Sequence, residues 1–369
     1  MIITAGRVVT PARVFAPGWL HVEGRQVVAV GAGTPPAPAD VELAGTVAPG
    51  FIDVHVHGGG GASFDDGAEA AEQVLAAHLA HGTTSMVASL VTMEPHRLDH
   101  TIKELALLAD DGRLAGIHLE GPWLSPQYRG AHRPDLLEEP SARRVDELVE
   151  LAGPHLRMVT LAPELPGGLD AIRRLTSAGV VAAIGHTDAT YDVARRALDA
   201  GALVGTHLFN AMRGLHHREP GPIAALLEHP DAFVELIADG VHLHPAVLRL
   251  ATDAKPHHTA LVTDAMAAAT QPDGDYRLGS LAVQVRGGQA RLPDGTIAGS
   301  TLTLADAVRY AVLEVGLPIE EAVRAATATP AAMLGLHGVG TLRPGSEADL
   351  VALGPDLRVT RVMKAGSWL

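Results

Sequence analysis

Side chains able to bind a cation or move a proton recur through the middle of this chain, each at the end of an apolar run. His55 and His57 close GFIDVHVH, Glu120 closes GIHLE, His186 follows VVAAIG, His207 follows ALVGT and Asp264 follows TALVT. Glu164 and Asp239 hold the same position after LRMVTLAP and FVELIA. Side chains alternate along an extended strand, so His55-Val-His57 puts two imidazoles on one face. Cation ligation must use imidazole and carboxylate. The chain has no cysteine, which excludes disulfides, thiolate nucleophiles and Cys-ligated zinc. Lysine occurs only at Lys103, Lys255 and Lys364, leaving few candidates for Schiff-base chemistry.

Glu120, His186 and His207 together make an open ligand set that leaves water a coordination position. Asp264 could hold that water and shuttle its proton. His118, on the face of Glu120, reads either as support for the ligands or as a satisfied core histidine. Gly58 to Gly61 lack the Lys and Ser/Thr of a phosphate loop. They read instead as a loop that needs permissive backbone angles beside a packed site.

The elements that must position these groups can be counted. Eight apolar runs alternate with Ala/Leu-rich helical segments such as GAEAAEQVLAAHLAHG and TYDVARRALDAG. This alternation predicts an α/β fold, a (β/α)8 TIM-like barrel with its site at the C-terminal strand ends. An open doubly wound sheet is the alternative. Residues 1–48 and 340–369 are strand-like and punctuated by Gly and Pro. They are expected to form one small, discontinuous β-sandwich domain, with the barrel at 49–339 between them. A β-hairpin is expected as an insertion near residues 275–298.

Composition narrows the partners. With 28 Lys+Arg against 42 Asp+Glu, the formal charge is −14, so there is no basic footprint for nucleic acid. No apolar run is long enough to span a membrane, and the opening residues lack the apolar stretch of a signal peptide. A soluble cytoplasmic protein is expected.

The motifs carrying these residues resemble the amidohydrolase superfamily and, within it, the N-acetylglucosamine-6-phosphate deacetylases. PGFIDVHVHG and GTLRPGSEADLV are widespread in the superfamily; HLEGPW followed by GAH, and THLFNAM followed by REPG, are narrower. GHTDAT, ADGVH, LVTDA and AGST complete the likeness, which covers nearly the whole chain. The resemblance implies that Glu120, His186 and His207 bind the catalytic metal, that Asp264 is the general base and acid, and that His132 polarises the substrate carbonyl. It implies that Asn210, Ala211, Arg218 and His242, with His132, hold the substrate, a small sugar phosphate. Arg218 would reach in from the other subunit of a homodimer. The cofactor implied is a divalent metal, zinc first, with one or two ions per subunit; His55 and His57 would complete a second position bridged by Glu120. The activity implied is deacetylation of the amino-sugar phosphate, in amino-sugar catabolism and cell-wall recycling. The alternative is another amidohydrolase acting on a different N-acyl or cyclic amide.

Overall fold

A computed structural model describes all 369 residues. Eight parallel strands follow one another in the middle of the chain: β1 (Phe51–Val56), β2 (Thr83–Leu90), β3 (Gly116–Glu120), β4 (Leu156–Leu161), β5 (Val181–Ile184), β6 (Val204–Gly205), β7 (Phe233–Ile237) and β8 (Thr259–Val262). Each pairs with the next, so spatial order equals chain order and no strand-order switch exists. That rules out the doubly wound alternative, and the barrel expectation holds. The seam between β8 and β1 has no regular ladder. It is closed by side chain and loop: Thr263 donates through Oγ1 to Asp53 Oδ2 (2.6 Å), Asp264 N–H donates to His55 O (2.9 Å), and His57 N–H donates to Ala265 O (2.8 Å).

The connecting helices bury one stripe. Helix α1 (Ala68–Leu79) buries Ala71, Val74, Leu75 and His78, and α2 (Pro95–Asp110) buries Leu98, Thr101, Ile102 and Leu105. Both follow the i, i+3, i+4, i+7 spacing of a helix packed on a sheet. Apolar strands buried on both faces, with helices outside, make one continuous core of 76 residues.

The terminal segments meet in one eight-stranded sheet. Ile2–Val9 pairs antiparallel with Gly18–Glu23 and parallel with Val41–Pro49, which pairs in turn with the C-terminal strand Leu350–Leu353. This sheet covers its own core, which includes Ile3, Leu20, Val47, Leu350 and Met363. Alternate residues of the same strands, Val9, Ala48, Val351 and Leu353, join the barrel core, so the sheet packs one face on its own core and the other on the barrel.

After β8 comes a three-stranded antiparallel sheet, Gly274–Leu278, Leu281–Arg286 and Gln289–Arg291. The hairpin expected there has gained a short third strand. Its apolar face (Leu278, Val283, Val285, Ala290) packs on Val91 and Met266 at the barrel mouth. No helix is long and apolar enough to cross a membrane.

Candidate metal centre and substrate cavity

The polar ends of β1, β3, β5, β6 and β8 converge. Glu120 Oε1 lies 3.0 Å from both His186 Nε2 and His207 Nε2, and those nitrogens are 3.1 Å apart. His55 Nε2 and His57 Nε2 are 3.2 Å apart, and His57 Nε2 is 3.3 Å from Glu120 Oε2 and 3.2 Å from Asp264 Oδ1. All of these groups are buried except Asp264, which is slightly open.

Backbone conformation marks the same places. His186, His207 and Asp264 have φ of +47°, +27° and +48°, a region that non-glycine residues seldom occupy. Each such residue costs about 1–3 kcal/mol, and strain of this kind collects at functional sites. The glycine loop behaves as expected. Gly60 and Gly61 have positive φ, and a Cβ on Gly58 would sit 2.5 Å from Ala62 O, so the chain can pass there only without a side chain.

Hydrogen bonding decides which atoms face inward. A carbonyl oxygen can only accept, so His57 Nδ1–H donates to Ser89 O (3.1 Å) and His186 Nδ1–H to Tyr128 O (2.9 Å). His55 Nδ1–H donates to the Glu235 carboxylate (3.0 Å). With these rings neutral, the Nε2 lone pairs of His55 and His57 point at each other and at Glu120 and Asp264, and that of His186 points at Glu120. Acceptors facing acceptors at 3.0–3.6 Å repel unless a cation lies among them. Without a metal ion, protons on the rings supply that positive charge. Burial by itself would lower His57, yet its bonds to Asp264 and Glu120 push it up to about 9. Burial by itself would raise Asp264, yet His57 and the charge of His55 hold it at about 2. The imidazole and carboxylate donor set fits a divalent metal.

Two groups of three could each hold an ion, His55 with His57 and Asp264, and Glu120 with His132 and His186; His207 Nε2, 3.0 Å from Glu120 Oε1 and 3.1 Å from His186 Nε2, is the alternative third member of the latter. His132 differs from the rest. Its Nδ1 lies 3.1 Å from Thr92 Oγ1 and 3.4 Å from Thr92 N–H, and its Nε2 lies 3.3 Å from Glu120 Oε2. His132 thus faces the cavity beside Glu120 Oε2, while His207 meets Glu120 at Oε1 together with His186. Burial, followed by the charges of nearby histidines, holds His132 neutral against the pull of Glu120.

These groups floor a cavity of about 470 Å³. Asn210, Ala211 and His242 line it, as does Arg129; Leu278, Thr296 and Ile297 of the inserted sheet region form its roof. Asp239 Oδ2 accepts from His242 Nδ1–H at 2.6 Å and, with that bond, raises His242 above its ordinary value despite burial. Arg218 is not in this cavity. It is exposed in the loop after Ala211 and contacts only His216 and His217 of the same loop. Glu164 does not reach the centre either; it braces the His186 loop by accepting from Thr187 Oγ1 and from Asp188 N–H (2.7 Å). His118 is satisfied by Ser89 Oγ and Thr160 Oγ1, both at 2.9 Å, and lies beneath the site as a core histidine. Sequence reasoning missed Glu235 and Asp53, fully buried carboxylates inside β7 and β1. The available signal was an acid in the interior of an otherwise apolar strand. It also missed Arg129, three residues before His132.

The profile of the amidohydrolase family matches residues 46–369. An N-acetylgalactosamine-6-phosphate deacetylase of Escherichia coli O157:H7 is 41% identical over 89% of this chain and 88% of its own length. An N-acetylglucosamine-6-phosphate deacetylase of Vibrio furnissii is 38% identical over 86% and 81%. Among solved structures, the N-acetyl-D-glucosamine-6-phosphate deacetylase of Mycobacterium smegmatis, an aspartate-to-alanine variant with its substrate, superposes with a TM-score of 0.98. It shares 49% identity over 100% of this chain and 98% of that one.

Proposed function

The chain belongs to the amidohydrolase family, and we propose that it is a metal-dependent deacetylase converting N-acetylglucosamine 6-phosphate and water to glucosamine 6-phosphate and acetate. The observation that carries this reading is the meeting of the inward Nε2 atoms of His132, His186 and His207 with the carboxylates of Glu120 and Asp264 on the floor of a single cavity. Zinc suits imidazole and carboxylate ligands; Glu120, His186 and His207 would hold one ion, and His55 and His57, beside Glu120, would hold a second. When bound, the ion lowers the pKa of water toward neutrality and polarises the amide carbonyl.

The chain's own groups do the rest. Asp264 accepts a proton from the attacking water, and its low proton affinity keeps it ready to do so near neutral pH. His132 Nε2–H donates to the carbonyl oxygen as negative charge grows there. Asp264 then returns the proton to the nitrogen, so that the C–N bond breaks to an amine rather than to an amide anion. Asn210, the Ala211 backbone and His242 hold the sugar phosphate from within the chain. Arg218, remote from its own cavity, reaches the phosphate from a second copy in a homodimer. We place the enzyme in the cytoplasm, in amino-sugar catabolism and cell-wall sugar recycling.

A second reading, the C4 epimer as substrate, is favoured by the 41% identity to the galactosamine enzyme. Acetate release from N-acetylglucosamine 6-phosphate, its C4 epimer and unphosphorylated N-acetylglucosamine, with zinc present, separates the cases. The first should have the highest kcat/KM. A higher value for the epimer would move the assignment to it, and equal values with and without phosphate would overturn the sugar-phosphate reading.

A further inference from the structure

Glu235 lies in the interior of β7 with no solvent exposure. Its Oε2 accepts from His55 Nδ1–H at 3.0 Å and from the backbone N–H of His207 at 3.2 Å. Its own carbonyl accepts from Leu208 N–H at 2.8 Å, so the turn that carries His207 is fastened to this residue twice. Its Oε1 has no partner at all. An enclosed carboxylate with one oxygen unpaired is expensive, and no Lys or Arg forms an ion pair with it to offset the cost. The compensation must come through His55. That ring lies between Glu235 and the acceptor cluster, with Nε2 3.4 Å from Glu120 Oε1.

We infer that Glu235 is a positioning residue for the metal centre: one buried oxygen sets the His55 ring, on β1, and the His207 turn, after β6, so that both Nε2 atoms face the same point. A carboxylate behind an imidazole fixes its tautomer and strengthens it as a ligand. Because Oε2 touches residues from both metal positions, its loss weakens whichever of them is filled. The inference rests on the ligand reading given above.

Metal affinity, read without any assay of activity, tests it. Wild type, Glu235→Gln, Glu235→Leu and His207→Ala are loaded with zinc. Ions per chain and the midpoint of competition by a chelator are measured, together with thermal unfolding of each metal-free protein. Gln keeps the shape and one acceptor but loses the charge. We expect Glu235→Gln to bind zinc about 10–100-fold more weakly, with its metal-free form unfolding close to wild type. Glu235→Leu should weaken binding further; should it fail to fold, Gln carries the test. A chelator midpoint for Glu235→Gln equal to wild type would overturn the inference, and lowered unfolding of its metal-free form would then mark Glu235 as purely structural. His207→Ala separates the two failures. If it retains full zinc, the ligand reading falls; if it loses zinc while Glu235→Gln matches wild type, only the positioning role falls.

Discussion

Two buried carboxylates at opposite ends of the barrel have opposite surroundings. Asp349, 4% exposed at the seam with the terminal sheet, accepts from Lys364 Nζ (2.7 Å) and from Ala365 N–H (2.7 Å). The same ammonium donates to Thr84 O on β2 (2.8 Å), fastening sheet to barrel. Both oxygens of Asp349 have donors, and nothing is left to recruit. Glu120, equally buried, is ringed by five imidazole Nε2 atoms, those of His57 and His186 left without a proton when the rings are neutral because their Nδ1–H groups donate to carbonyls. One cluster is complete with its own protons and the other is complete only with a cation. Burial is the same in both, so what distinguishes structure from function here is whether donors and acceptors balance.

If that contrast is right, breaking each cluster should have a different signature. The largest effect is expected from His207→Ala, which should lose zinc and lower turnover by at least about 10³-fold, since a Lewis acid contributes several kcal/mol. Its metal-free form should unfold near the wild-type temperature. Elemental analysis beside a melting curve checks both halves.

Next is Asp264→Asn, which keeps the shape but cannot accept a proton. It should retain fold, substrate affinity and most of the metal while kcat drops by about 10²–10⁴. Turnover within a few-fold of wild type would show that Asp264 merely shapes its loop.

Asp349→Ala should invert the pattern, with metal content and kcat unchanged and stability lowered by about 2–3 kcal/mol. That is below the roughly 3–5 kcal/mol of a fully enclosed pair, because the Lys364 side chain is 39% exposed and keeps much of its water. Denaturant unfolding reads it.

The smallest effect concerns His242, which Asp239 holds above its ordinary value. A raised imidazole is charged at low pH and loses its charge as pH climbs past the ordinary histidine range. KM for the phosphorylated sugar should therefore rise on the alkaline side. In Asp239→Asn that rise should begin at lower pH, while KM for the unphosphorylated sugar stays flat; identical profiles in the two proteins would remove His242 from phosphate binding.

The barrel was legible because its strands are buried on both faces and so read as apolar runs, and because ligands at strand ends interrupt those runs at a regular place. The meeting of residues 1–48 with 340–369 was legible only as shared strand-like composition. The pairing of Val41–Pro49 with Leu350–Leu353 that unites them spans some 300 residues and leaves no local mark. The third strand of the insertion, Gln289–Arg291, is too short for an alternating pattern to register. At the site, residue type identified the ligands but could not assign protons. His132 and His186 look alike in sequence; Tyr128 offers His186 a carbonyl, which fixes its proton on Nδ1, whereas Thr92, 40 residues upstream, offers His132 both a hydroxyl and a backbone N–H. Arg218 was recognisable as a motif, yet its distance from its own cavity appears only in three dimensions.

The claim that Glu120 sits in a cluster completed only by a cation is tested most directly by titrating metal-free protein with zinc while following both the unfolding temperature and the rate of acetate release. Both should rise together and saturate at the same one or two ions per chain, and His207→Ala should show neither rise. Full activity in metal-free protein, or an unfolding temperature indifferent to zinc up to millimolar concentrations, would contradict it.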